Sequence, residues 1–81
     1  MGYYYYSVRT SNYLTLFRVL INNRISFEYH SKTRGAGMAY ADFCLDSEHD
    51  PTYSDIERMA ESIERERGKF FTMEIITEYE A

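Results

Sequence analysis

Tryptophan is absent from this chain, and cysteine and proline occur once each, at Cys44 and Pro51. A lone cysteine forms no internal disulfide, so the fold carries no covalent staple and suits a reducing interior. No apolar run approaches the length of a membrane span. The opening Met1-Gly2-Tyr3-Tyr4-Tyr5-Tyr6 lacks the charged-then-apolar profile of a signal peptide. The chain therefore reads as soluble, untargeted and cytoplasmic. Beyond the four tyrosines there is no repeat, linker or low-complexity tract. The 81 residues fit one domain, 1–81, near the size at which stability becomes marginal.

What is present is an unusual aromatic load: nine tyrosines and five phenylalanines within a hydrophobic fraction of 44%. Disordered segments are poor in such residues, so the chain is expected to fold. The net charge of −4 is unevenly spread. Residues 1–41 set Arg9, Arg18, Arg24, Lys32 and Arg34 against Glu28 alone, giving +4, whereas residues 42–81 set twelve acids against four bases, giving −8. That polarity disfavours broad attachment to a phosphate backbone and favours a protein partner with basic surface.

Periodicity then divides the chain. Tyr3 to Arg9 reads as a strand with Tyr4, Tyr6 and Val8 on one face and Tyr3, Tyr5, Ser7 and Arg9 on the other. Ser11 or Asn12 caps a helix from about Tyr13 to Asn23. Its apolar face is expected at Leu14, Phe17, Leu20 and Ile21, with Tyr13 and Leu16 flanking and Thr15, Arg18 and Asn22 opposite. Ile25 to Ser31 alternates as a second strand, and the polar, glycine-punctuated Lys32 to Gly37 predicts a hairpin loop. Gly37 to Leu45 alternates again, with Ala39, Ala41, Phe43 and Leu45 apolar and Met38, Tyr40, Asp42 and Cys44 mixed. After a turn-rich connection from Asp46 to Tyr53, Ser54 and Glu57 spell a capping box, and Asp50-Pro51 is an alternative start. The helix that follows is expected to bury Ile56, Met59, Ala60 and Ile63, to expose Glu57, Glu61 and Glu64 on one flank, and to end at Gly68. Phe70 to Tyr79 closes the chain as a strand. Phe71, Met73 and Ile75 lie on one of its faces, and Phe70, Thr72, Glu74 and Ile76 on the other.

The order β-α-β-β-α-β contains two split βαβ units. The right-handed crossover rule then brings the first and third strands to the centre of a four-stranded antiparallel sheet, with both helices on one face. The fold class is thus α+β, ferredoxin-like. Ala39 and Ala41 leave room for the helices. The uncovered face displays Tyr3, Tyr5, Met38, Tyr40, Asp42 and Glu74, much exposed aromatic surface for so small a domain, which points to an interface.

Other chemistry is poorly provided for. Asp46, Glu48, Asp50 and Glu57 fall at calcium-loop spacing, but Pro51 stands where that loop needs glycine at a sharp turn. Cys44, His30 and His49 lack the close pairing of a zinc site. Cys44, His30 and Asp42 share a sheet face open to water, a poor setting for a thiol nucleophile. Arg34-Gly35-Ala36-Gly37 lacks the lysine and the helix start of a phosphate loop. Neither an enzyme nor a metal or other cofactor is expected.

Gly37-Met38-Ala39-Tyr40-Ala41-Asp42-Phe43 resembles the third strand of the RNA-recognition motif. The resemblance implies stacking of single-stranded bases on Tyr40, with Tyr3 or Tyr5 supplying the aromatic of the first strand and Met38 standing at the other stacking position. In size, acidity and tyrosine content the chain is also similar to small phage-encoded inhibitors of the anti-CRISPR type. Asp42, Glu28 and Glu74 make the open face acidic, where nucleic acid calls for positive charge. The expectation is therefore a non-enzymatic interaction protein, of the inhibitor kind, docking on a basic, nucleic-acid-handling protein. Its candidate contacts are Tyr3, Tyr5, Met38, Tyr40, Asp42 and Glu74 on the sheet, or Glu57, Glu61 and Glu64 on the acidic helix. The alternatives are a single-strand binder and a ferredoxin-like homodimer enclosing a small ligand.

Overall fold

The computed structural model describes residues 2–30 and 39–81, so the expected hairpin loop, Gly37 and Met38 lie outside the described residues. The elements are β1 (Tyr3–Thr10), α1 (Tyr13–Asn22), β2 (Phe27–His30), β3 (Ala39–Asp46), α2 (Tyr53–Glu66) and β4 (Met73–Glu80). They form one four-stranded sheet in the order β2-β3-β1-β4, every pairing antiparallel. This is the ferredoxin-like arrangement, with β1 and β3 central. Alternation along β1 and β3 sends Tyr6, Val8, Thr10, Ala41, Phe43 and Leu45 inward. The apolar members join Leu16, Val19, Leu20, Ile56 and Ala60 in one core cluster, which places both helices on the same sheet face.

Both helices end in the same way. After α1, the Arg24 amide donates to the Ile21 carbonyl and the Ile25 amide to the Leu20 carbonyl; after α2, Gly68 donates to Arg65 and Lys69 to Glu64. These paired bonds require a left-handed residue just past the helix. Gly68 supplies it with φ 73°, whereas the first helix forces Arg24 to φ 60°. At the start of α1, Asn12 Oδ1 accepts from the Thr15 amide at 3.3 Å. The capping box of α2 lies two residues earlier than the sequence suggests, formed by Thr52 and Asp55 instead of Ser54 and Glu57. The preceding turn sets this phase. Asp50 Oδ2 accepts from the Asp46 amide at 2.8 Å, which closes the turn and brings Thr52 to the capping position.

Two burial patterns depart from expectation. In α1 the buried residues are Thr15, Leu16, Val19 and Leu20, while Leu14 and Ile21 are 66% and 63% exposed. The helix is apolar around most of its circumference, so hydrophobicity alone does not orient it. Its rotation is fixed by Phe17, stacked on Phe27 of β2 at 4.2 Å, and by a polar contact with α2. That contact is Glu64. Far from lying on an exposed flank, it is 1% exposed, and its carboxylate accepts from Asn12 Nδ2 and Thr15 Oγ1, each at 3.1 Å. The Arg67 guanidinium lies 3.7 Å away. The carboxylate thereby faces the start of α1, where unpaired amides favour negative charge.

The last strand carries a β-bulge. Ser7 pairs with Thr77, but the next residue, Val8, pairs with Ile75, leaving Ile76 as the extra residue. An added residue reverses the faces of everything beyond it. Thr77 and Tyr79 therefore join Ser7 and Tyr5 on the open face, while Glu78 and Glu80 lie opposite Tyr6 and Tyr4. The Glu80 hydrogen bond accordingly raises the Tyr4 hydroxyl above its ordinary pKa.

Candidate interaction face

With both helices on one side, the other side of the sheet is uncovered among the described residues. Register arranges its side chains in three rows running across the strands. The first holds Cys44, Tyr5 and Tyr79; the second Glu28, Asp42, Ser7 and Thr77; the third Tyr40, Arg9 and Glu74. Small side chains in the middle of the second row leave a depression beside the taller first row. It forms a groove of about 440 Å³ whose lining includes Tyr5, Ser7, Glu28, Asp42, Thr77 and Tyr79.

The first row, which forms the bank, is an aromatic stack. Tyr5 and Tyr79 have ring centroids 4.9 Å apart with planes 11° from parallel, and Tyr79 is 58% exposed. Electrostatic repulsion from the neighbouring Cys44 sulfur, followed by their hydrogen bond, holds the Tyr5 hydroxyl above its ordinary pKa. Beyond the groove, the third row holds a closed ionic unit in which the Arg9 guanidinium pairs with Glu74. Glu74 and then Tyr40 raise the Arg9 pKa, so this arginine keeps its charge and largely cancels that of Glu74. The acids that line the groove are Glu28 and Asp42, directly opposite each other on β2 and β3.

The sheet thus brings Tyr5, Tyr40, Asp42 and Glu74 together, with Tyr3 exposed at the end of the same face beside the Asp46 register position. Met38 lies outside the described residues. The helix residues form no comparable unit. Glu57 and Glu61 are half-buried on α2, Glu64 is internal, and Asp55 is paired with Arg58. Sequence reasoning missed Tyr79 and Thr77, which strict alternation assigns to the helix side. The adjacent Ile75 and Ile76, which break the alternation of β4, are the signal that could have revealed the bulge.

A second cavity, of about 380 Å³, lies between Tyr4, Tyr6 and Tyr53 and the turn from Asp46 to Thr52. The Asp46 and Asp50 carboxylates are engaged in the turn's own structure. Asp46 accepts from the Glu48 amide and contacts His49 Nδ1, both at 2.9 Å, while Asp50 closes the turn as described. The Asp46–Asp50 stretch is thus built as a helix lead-in. Compared with protein-family models, curated proteins and solved structures, the chain matches none.

Proposed function

We propose that the chain is a non-enzymatic interaction protein that docks on a protein partner with basic surface, and that the uncovered sheet face, not α2, is its contact. The observation that carries this is the groove itself, with an aromatic stack on its bank and two carboxylates at one end, beside a row whose Arg9 and Glu74 charges cancel. Aromatic surface with a few placed charges is the make-up of a recognition patch. The acidic-helix version is weaker, because Glu64 is committed to the core and Asp55 to Arg58. In its finer form, the partner is a nucleic-acid-handling protein and the chain inhibits it by occupying its basic surface, in the manner of phage-encoded anti-CRISPR inhibitors. Small size, acidity and tyrosine content support that form.

The single-strand reading draws support from Tyr5 and Tyr40, both on the open face. Against it stand Tyr79, which already covers one face of the Tyr5 ring, and the acids at the groove's end. The discriminating experiment is capture from a host extract with and without nuclease, comparing wild type with the Tyr5→Ala/Tyr79→Ala double variant. Nuclease-resistant, salt-sensitive capture that is lost in the variant is expected. Loss of capture on nuclease treatment would assign the face to nucleic acid, and undiminished capture by the variant would move the contact off this face.

A further inference from the structure

We infer that the outer edge of β4 is built to take an extended, basic segment of the partner as a fifth strand of the sheet. This rests on the docking reading above and specifies how the partner attaches. The strand order leaves β4 paired on one side only, with β1, and no described strand meets its other side. All of its residues but Met73 are exposed. The phase of its backbone follows from one pair. Tyr3 and Ala81 exchange both amide–carbonyl bonds, at 3.3 and 2.9 Å. Along an antiparallel ladder such pairs alternate with pairs whose backbone groups point outward. Thr77 and Tyr79 therefore turn their amides toward β1, whereas Glu78 and Glu80 turn their amides and carbonyls to the free edge. An unpaired edge of this kind is a template for strand addition.

Charge decides what kind of strand fits. Met73 to Ala81 contains Glu74, Glu78 and Glu80 and no basic residue. Glu74 is paired with Arg9, but Glu78 and Glu80 have no ion-pair partner among the described residues. Glu80 accepts from the Tyr4 hydroxyl, which leaves its charge in place. Both side chains lie on the helix side of the sheet, where α2 adds Glu57: after burial, the charges that raise the Tyr53 hydroxyl include those of Glu57 and Glu78. An outward backbone and an uncompensated carboxylate thus coincide at the same two residues. A strand laid along this edge brings alternate side chains beside them, and lysine or arginine there gains a cross-strand charge pair at each. A second copy of the chain is not that strand, because every two-fold register centred on residues 78–80 sets glutamate against glutamate. The bulge at Ile76 confines the addition to the regular stretch beyond it, and Tyr79, on the other face of that stretch, joins the added strand to the aromatic bank.

The test is a titration of the isotopically labelled chain with three short, capped peptides, followed by amide chemical shifts and hydrogen exchange. One alternates lysine with valine, the second carries glutamate in place of lysine, and the third is the lysine peptide methylated on its lysine backbone nitrogens. The lysine peptide is expected to shift the Glu78 and Glu80 amides most and to slow their exchange at least about threefold, while Thr77 and Tyr79, already bonded to β1, change less. The glutamate peptide should leave β4 unmoved. The methylated peptide, unaltered in charge, should bind at least about fivefold more weakly. Glu78→Gln/Glu80→Gln, which keeps the backbone edge, should weaken the lysine peptide at least about twofold and reduce its salt dependence. Equal response to lysine and glutamate peptides, methylation without effect, unaltered affinity in the glutamine variant, or shifts confined to another surface would each overturn the inference. These outcomes separate from those of the docking reading. A partner lost on Tyr5→Ala/Tyr79→Ala, with β4 unresponsive to the peptides, sinks this inference alone, whereas a partner that the double variant retains, with the lysine peptide still held on β4, sinks the reading beneath it.

Discussion

Replacing Glu64 by alanine should cost about 3–4 kcal/mol, making it the most damaging single exchange of a charged residue in the described chain. The carboxylate is almost fully buried and holds two side chains at the start of α1. A hydrogen bond to a charged acceptor contributes about 1.5–3 kcal/mol, and a buried hydroxyl left without a partner costs about 1–3 kcal/mol. Thr15, itself buried, would be such a hydroxyl. The half-exposed Arg67, 3.7 Å away, adds little to that total. A domain of 81 residues commonly has about 4–12 kcal/mol in all, so the variant should lose a quarter or more of its stability, with a fall in Tm of roughly 12–32 °C. Urea unfolding followed by far-ultraviolet circular dichroism and tyrosine fluorescence measures this in a chain without tryptophan. Two controls sharpen the result. Glu64→Gln keeps the shape and one acceptor and should cost about half as much. The Thr15→Val/Glu64→Ala cycle should show a coupling of at least about 1 kcal/mol. A Glu64→Ala variant within about 0.5 kcal/mol of wild type, or strict additivity in the cycle, would refute the structural role assigned to this carboxylate.

Arg24→Gly should stabilise the chain by about 0.5–1 kcal/mol, seen as a raised urea midpoint with unchanged m-value, because Arg24 occupies a left-handed conformation that glycine adopts without strain. Burial, followed by the charge of Glu57, raises the Tyr53 hydroxyl well above its ordinary value of 10.0. The unfolded chain therefore ionises first as pH rises past about 10, and stability falls there; urea midpoints between about pH 9 and 11 should decline less steeply in Tyr53→Phe. His49 is raised from 6.5 by its bond to Asp46, and Asp46 is lowered from 3.8 by the Glu48 amide and by His49. Their joint contribution is complete between those two values. It is lost as pH falls through the depressed Asp46 pKa or rises through the elevated His49 pKa, so His49→Ala should remove the decline that begins above pH 6.5 and leave the Tyr53 decline past about pH 10 in place.

The two central strands were legible because a half-buried sheet imposes a period of two that nothing in Tyr3–Arg9 or Gly37–Leu45 disturbs. Ala41, Phe43 and Leu45 are buried as that period requires. The glycine stop of α2 was equally plain, since a left-handed residue there leaves few choices. The rotation of α1 was not legible. Leu14, Leu16, Phe17, Val19, Leu20 and Ile21 surround the axis, and the decision falls to Thr15 meeting a carboxylate 49 residues away in sequence. Glu64 itself continues the buried spacing Ile56, Ala60, Glu64, but its charge masked its place in that stripe. On the open face, Tyr5, Tyr40, Asp42 and Glu74 followed from alternation, whereas Tyr79 depended on a bulge marked only by two neighbouring isoleucines.

That bulge makes length, more than composition, the variable that governs one edge of the sheet. Deleting Ile76 would remove only the unpaired residue: Ile75 would still meet Val8 and Thr77 would still meet Ser7, now in strict alternation. Thr77 and Tyr79 would stay on the recognition face, and Glu78 and Glu80 on the helix side. The strand thus holds one residue in reserve, and the loss of a single codon there would leave the contact residues where they are. A second deletion in the same strand would find no such slack and would exchange the aromatic bank for an acidic one.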